Sequence, residues 1–441
     1  MSKPEIINNT QDNLFKSRLS NQLNPKHPLV ILSGKINWTS LEEKFGVMYQ
    51  AELGYPPKPI RLMVGLLMLQ HMEGLSDEAV VAEWVENPYW QLFCGYDFLE
   101  WEMPINPSSL TRWRKRLGVE GMEEILKATI QTAVVTGKVK ESSFKQVIVD
   151  TTPMEKAITY ATDSKLLNKA REKLVNLAKK QGIILRQTYS RVGKIAVVKA
   201  ARHAHAKQFK KMQKHVKKLR VYLGRVMRDI ERRIEDRKDL QAIFKHYLTL
   251  SERLMNQKKN TPHKIYSIHE PDIVCMSKGK ASKRYEFGCK VSLAITHKEG
   301  LALTSLALPG NPYDGHTLKQ TLTHATKMSG HAIDRSFVDL GYKGHDVEGT
   351  EVIMARQKNL SSSLKKALKR RNAIEPHIGH MKQEGKLDRN YLKGQLGDQL
   401  NALLVAIGHN MRLIWAHIYY FFTLIKILLG QLHTHNKPMA I

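Results

Sequence analysis

Acidic residues are what this chain is short of. Across 441 residues, 70 lysines and arginines face 41 aspartates and glutamates, a formal net charge of +29. Such an excess implies a polyanionic partner, either nucleic acid or an acidic membrane surface. Cysteine is scarce as well. Cys94, Cys275 and Cys289 are odd in number and far apart, which argues against a disulfide framework and fits a reducing, cytoplasmic setting. No C-x-x-C pair and no H-E-x-x-H occurs, so no zinc site is expected. The first residues, MSKPEIINNTQDNLFK, have no apolar run of the kind a secretory leader needs. Long apolar stretches are missing too, with one suspect: LIWAHIYYFFTLIKILL. His417 and Lys426 interrupt it, and it falls short of the roughly 20 apolar residues a membrane span requires. A buried or oligomer-forming helix is expected there, and no membrane partner.

What is present divides into three zones. Residues 30–118 read as short helices punctuated by Pro and Gly. In WTSLEEKFG, Thr39 and Glu42 suggest a capping box. IRLMVGLLMLQHMEG is apolar nearly all round and predicts a core helix. LSDEAVVAEWVENPYW predicts a helix capped by Ser76, and NPSSLTRWRKRLG one capped by Ser108 that exposes Arg112, Arg114, Lys115 and Arg116. A helix–turn–helix ending in a basic helix is what major-groove readers use. In the second zone, Lys173 to Arg228, there are 17 Lys and Arg and not one Asp or Glu. Apolar residues recur at helical intervals, as in FKKMQKHVKKLRVYLGRVMRDIERRI, so long amphipathic helices that touch phosphates are expected. The third zone alternates in β fashion. KIYSIHEPDIV, YEFGCKVSLAITH, ALTSLALPGN, SFVDLGYKG and TEVIM predict strands, and TLKQTLTHATKM and SSSLKKALKRR predict helices.

Three carboxylates stand out against this basic background. KQVIVDTTP is an apolar strand ending on Asp150, and a later strand ends on Asp339. Glu375 is the single acid in KALKRRNAIEPHIGHMK, with Arg371 four residues before it and Lys382 seven after. Each has an ordinary explanation: Asp150 as a turn cap, Asp339 as an Asx-turn, Glu375 as the partner of Arg371 in an i,i+4 ion pair. Together they suggest acids converging at strand ends, a hard oxygen site suited to Mg²⁺ or Mn²⁺. Asp314, in GNPYDGH, is the strongest rival and ranks below Asp339 because it follows a turn rather than ending a strand. Pro376 disfavours helix at the residue before it, so a kink or helix start is expected at Glu375.

The order strand-Asp, strands, strand-Asp, helix-Glu resembles the ribonuclease-H-like core of DDE transposases. VDTTP, PGNPYDGHTL, VDLGYKGH, RRNAIEPHIGHMK and LDRNYLKG are similar to the bacterial insertion-sequence family called IS-five, from about residue 25 to about 415. Arg371, Glu375 and Lys382 fill that family's R-x3-E-x6-K signature, although Leu368 stands where a Tyr is usual. The resemblance implies an α/β fold: a ribonuclease-H-like mixed sheet flanked by helices, with an all-α N-terminal DNA-binding domain and a basic helical insertion. The implied division is a helical DNA-binding domain over 1–140, core over 141–160, insertion over 161–261, remaining core over 262–415, and an apolar helix and tail over 416–441. It implies Asp150, Asp339 and Glu375 as catalytic and metal-ligating acids holding two Mg²⁺ or Mn²⁺ ions. Arg371, Lys382, Arg112, Arg114, Lys115 and Arg116 would contact DNA. The partner would be double-stranded DNA, at element ends and target, bound by a homodimer or larger assembly. A nuclease of the same chemistry and a catalytically silent transposase-derived DNA-binding protein share most of these features.

Overall fold

The computed structural model describes residues 16–48, 58–258, 260–277 and 285–435. The chain forms two compact units, one from residues up to Met154 and from Lys290 onward, the other from Glu155–Cys289. The N-terminal helices thus fall in the unit that carries most of the sheet.

In chain order, the first unit opens with α1 (Leu19–Gln22), α2 (Pro28–Ser33), α3 (Trp38–Gly46), α4 (Ile60–Glu73), α5 (Asp77–Glu86), α6 (Pro88–Phe93) and α7 (Ser108–Val135). The starts of α2, α3, α5 and α6 follow side-chain capping. Asn37 Oδ1 accepts from Ser40 N at 3.1 Å, so Asn37 and not Thr39 caps α3. Ser76 caps α5 as expected, accepting from Ala79 N at 3.1 Å. Before α7, Asn106 takes the part foreseen for Ser108, accepting from Ser108 N at 3.0 Å. An Asn or Asp one residue or two upstream competes well with Ser or Thr for orphan helix N–H groups. The uniformly apolar α4 is buried from Leu62 to Met72, and Gly74 at φ 67° ends it.

After α7 come β1 (Gln146–Glu155), α8 (Asp163–Lys180), α9 (Ser190–His205), α10 (Phe209–Ile234), α11 (Lys238–Asn256), β2 (Val274–Met276), β3 (Glu286–Thr296) and β4 (Ala302–Leu308). Then follow α12 (Asp314–Ser329), β5 (Arg335–Val338), β6 (Glu351–Met354), α13 (Ser362–Lys369), α14 (Ile374–Gln383) and α15 (Gly394–His435). Of KIYSIHEPDIV, only Val274 lies in a strand, since the Pro271 that interrupts it cannot donate to a ladder. The strands run β2-β3-β1-β5-β6, with β4 also on β3. β1, β5 and β6 are parallel, whereas β3 is antiparallel to β4. Val147, Ile148 and Val149 are fully buried, the near-continuous apolar run that a parallel strand covered on both faces requires.

In the second unit, α8 to α11 share an apolar core in which Leu174, Leu223, Val226, Ile230 and Phe244 are fully buried. The expected amphipathic helices are there. No helix among the described residues is long and apolar enough to cross a membrane.

In the first unit α15 packs against α4, α7 and β4. Two histidines are sealed at these seams: burial pushes His71 on α4 and His409 on α15 down to about 3. Both are neutral when folded and bind protons once unfolded. The unfolded state therefore holds more protons between pH 6.5 and 3, and stability falls as pH drops through that window. Lowering the pH from 7.5 to 5 should remove roughly 2 kcal/mol per histidine from these shifts. Urea unfolding at the two pH values measures it; His409→Gln should flatten the dependence.

Candidate functional site

β1 and β5 pair in parallel with Gln146 opposite Arg335 and Ile148 opposite Phe337. Continued by two places, that register would bring Asp150, inside β1, opposite Asp339, the residue directly after β5, with neighbouring strands about 5 Å apart. Backbone N–H groups fix one oxygen of each carboxylate. Asp150 Oδ1 accepts from Thr151 N at 2.7 Å, and Asp339 Oδ1 from Gly341 N at 2.7 Å. Both acids are half-buried. The Asx-turn reading is true of Asp339, which caps the 3₁₀ turn after β5. Asp150 corrects the expectation of a strand end: β1 runs on through Thr151, Thr152 and Pro153 to Glu155, so the acid lies inside the strand with no turn to cap, because β-branched Thr151 and Thr152 extend the buried strand.

Asp314, set aside in the sequence, joins them. It is the first residue of α12, and its Oδ1 accepts from Thr151 Oγ1 at 2.8 Å and from Lys290 Nζ at 2.8 Å. A Cβ added to Gly341 would lie 3.0 Å from Asp339 Oδ1 and 3.3 Å from Asp314 Oδ2, which puts the two acids on either side of one glycine. Tyr342 is the buried floor. Burial first, and then the charges of Asp150, Asp314 and Asp339, raise its phenol well above the usual value, so it stays neutral. Lys290 and Tyr342 carried no sequence signal of their own; Asp314 had one, its place at a helix start beyond a Gly-Asn-Pro turn.

Glu375 is not among them. It lies in the first turn of α14, exposed, and makes no hydrogen bond or ion pair with any described residue. The ion pair with Arg371 is not formed, because Arg371 Nη2 bonds Asn372 Oδ1 at 3.0 Å. Its helix starts at the far end of the sheet: Arg370 Nε donates to His297 O at 2.9 Å, and His297 N to Gln146 O at 3.0 Å. Gln146 is four residues, about 13 Å, down the strand from Asp150. Lys382 follows on α14, two turns later. As expected from Pro376, a break precedes the acid: a 3₁₀ turn over Arg370–Ala373 leads into α14. Among the described residues no group of three His, Cys, Asp or Glu stands close enough to hold a metal ion.

On the first half of α7, Arg112, Lys115 and Arg116 are exposed. Arg114 corrects the expectation: it is 4 % exposed and forms a two-pronged ion pair with Asp77, Nη1 to Oδ1 at 3.0 Å and Nη2 to Oδ2. Burial alone would raise the Asp77 carboxyl, but the hydrogen bonds and charge of Arg114, with Gln70 and Thr111, hold it below its usual value. The signal was legible, for Leu110, Trp113, Arg114 and Leu117 form one i, i+3, i+4, i+7 face, and all four are buried. Arg114→Met should cost about 3 kcal/mol by stranding Asp77. Arg112→Ala, at an exposed position, should change stability by less than about 0.5 kcal/mol. Urea melts of both variants decide.

The family described as Transposase domain (DUF772) matches residues 17–116, and that described as Transposase DDE domain matches residues 261–411. The second span takes in Asp314, Asp339 and Glu375. The chain is 49 % identical over 207 residues to the protein called "Uncharacterized protein ORF8 in nfe locus" of Rhizobium meliloti, covering 47 % of this chain and 100 % of that one. No solved structure matches.

Proposed function

The chain belongs to the insertion-sequence DDE transposases, and we propose that it binds the ends of its element, cleaves DNA there and joins the freed 3′-hydroxyl to target DNA. The observation that carries this reading is the pair Asp150 and Asp339, one on β1 and the other directly after β5, the strand paired with it in parallel, each held by a backbone N–H. The strand order β4-β3-β1-β5-β6, antiparallel on one side and parallel on the other, supports a ribonuclease-H-like core.

The donor set fits a hard divalent cation, since both fixed groups are half-buried carboxylates, one inside β1 and one directly after β5. Asp150 and Asp339 would hold Mg²⁺ or Mn²⁺, two ions in all, with Glu375 as the third acid. Bound there, such ions activate the attacking oxygen and stabilise the leaving one. The rest is the work of the chain. Asp150 and Asp339 keep their orientation before any ligand arrives. Glu375 reaches them only when α14 shifts, and the 3₁₀ turn before it is the joint. Arg371 and Lys382 travel with that helix and orient phosphates. Arg112, Lys115 and Arg116 contact the element end, and the basic helices of the second unit hold DNA along its backbone. Two ends must meet, so the working form is a dimer or larger.

The distance between Glu375 and the aspartates favours one second reading, a catalytically silent DNA-binding protein derived from a transposase. A pre-cut element end with a free 3′-hydroxyl, mixed with the protein, Mg²⁺ and a plasmid, separates the two. Joined product is expected; specific binding without joining, in Mg²⁺ or Mn²⁺, supports the silent protein.

A further inference from the structure

We propose that the second unit carries a pocket for a DNA backbone phosphate, formed by α10 and the turn before α9. This rests on the reading that the chain works on DNA and adds a site outside the carboxylate cluster. A cavity of about 300 Å³ is lined by Arg186, Tyr189, Arg225, Arg228, Asp229 and Arg232. Asp229 is the first acid after the long basic stretch, and it is already committed. It is 6 % exposed, accepts from Arg186 N at 2.7 Å and from Arg233 Nε at 3.3 Å, and lies 3.8 Å from Arg232. Its work is to fix the turn and one wall of the pocket. Among the described residues neither Arg225 nor Arg228 has a carboxylate partner; Arg225 Nη1 donates to the Tyr189 hydroxyl at 3.3 Å. Tyr189 is locked in turn, stacked on Tyr222 with ring centroids 4.7 Å apart.

Asp229 offsets part of the charge of the four guanidinium groups around the cavity, chiefly through Arg232, and the positive excess that remains at Arg225 and Arg228 favours a further anion between them. Their planar forks match phosphate oxygens in pairs, which a carboxylate-bearing metabolite would not fill so fully. The pocket also ends a longer track. Lys211, Lys214, Lys218, Arg225, Arg228 and Arg232 recur at three-, four- and seven-residue steps and are all exposed. Leu219, Leu223, Val226 and Ile230 fill the opposite, buried face. From Lys211 to Arg232 the helix rises about 31 Å, close to one turn of duplex DNA. A rod of that length, basic on one side and anchored at its end, suits the backbone of a duplex.

The test uses the full chain and a labelled 40-base-pair duplex that carries no element end, so that an inactive carboxylate site leaves the result readable. The double variant Arg225→Gln/Arg228→Gln is compared with Lys145→Gln/Lys298→Gln, an equal charge change at exposed positions of the first unit that carry no part of the proposed DNA track. The pocket variant should bind about tenfold more weakly at 0.15 M salt, and its log–log salt slope should fall by roughly 1.8, two phosphates' worth. The control should change affinity less than twofold. Arg225→Lys/Arg228→Lys should recover part of the loss, since charge returns without the fork. Equal losses in pocket and control variants, with matching slopes, would overturn the pocket and leave only a diffuse basic field. Duplex RNA competing better than duplex DNA of the same length would overturn the assignment to DNA. Strand joining by the wild type, measured separately, tests the transposase reading by itself.

Discussion

Asp150→Asn is expected to abolish strand cleavage and joining while DNA binding stays within about twofold of wild type. Asn keeps the side-chain oxygen that accepts from Thr151 N, so the local geometry of β1 survives. It removes the negative charge that a cation needs. Losing one such ligand costs several kcal/mol of transition-state stabilisation, and about 4 kcal/mol is roughly a 10³-fold fall in rate. Fold should not suffer, because two other carboxylates already crowd the Tyr342 phenol and one fewer charge relieves them. Single-turnover cleavage with saturating protein measures the rate, and a gel shift on the same DNA measures binding. Parallel loss of both would mean that Asp150 shapes the fold instead.

Gly408→Ala is expected to be the most damaging small substitution in the helical half of the first unit. A Cβ at that position would fall on the carbonyl oxygen of His71, so α15 and α4 must move apart. Arg412 Nη1, one turn on, donates to His71 O at 2.8 Å and to Met72 O at 2.9 Å. These bonds satisfy carbonyls at the end of α4 that have no partner within the helix. Overpacking together with lost bonds to a charged donor should cost about 3 kcal/mol. Gly379→Ala on α14 is the comparison, for nothing lies within 4 Å of its added methyl. There the lower entropy of the unfolded chain should stabilise by about 0.5 kcal/mol. Urea titration of the two variants checks the pair; similar midpoints would show that the α4–α15 seam yields without cost.

Much of this architecture was legible in the sequence because its signals are local. The apolar run before Asp150, the strand before Asp339 and the amphipathic period of the insertion each reflect burial of the segment's own side chains. The caps were half legible: Ser76 holds its helix, but Asn37 and Asn106 displace Thr39 and Ser108 because neighbouring polar residues compete for the same N–H groups. Arg114 was missed through reading charge before periodicity. Asp314 was underrated for another reason. Its partners Thr151 and Lys290 lie 163 and 24 residues away, and no local pattern reports a contact made across a sheet. Glu375 shows the converse limit, since a signature spacing identifies a helix and its acid but not where the helix rests.

The most direct measurement of the central claim is strand cleavage and joining by purified full-length protein on DNA bearing its gene's natural flanks. It would be run with Mg²⁺, with EDTA and with Glu375→Gln. The account predicts joined product that needs the metal and disappears in the variant, which would place Glu375 at the aspartates during reaction although it stands apart from them beforehand. Joining that persists in EDTA, or that is undiminished in Glu375→Gln, would contradict it.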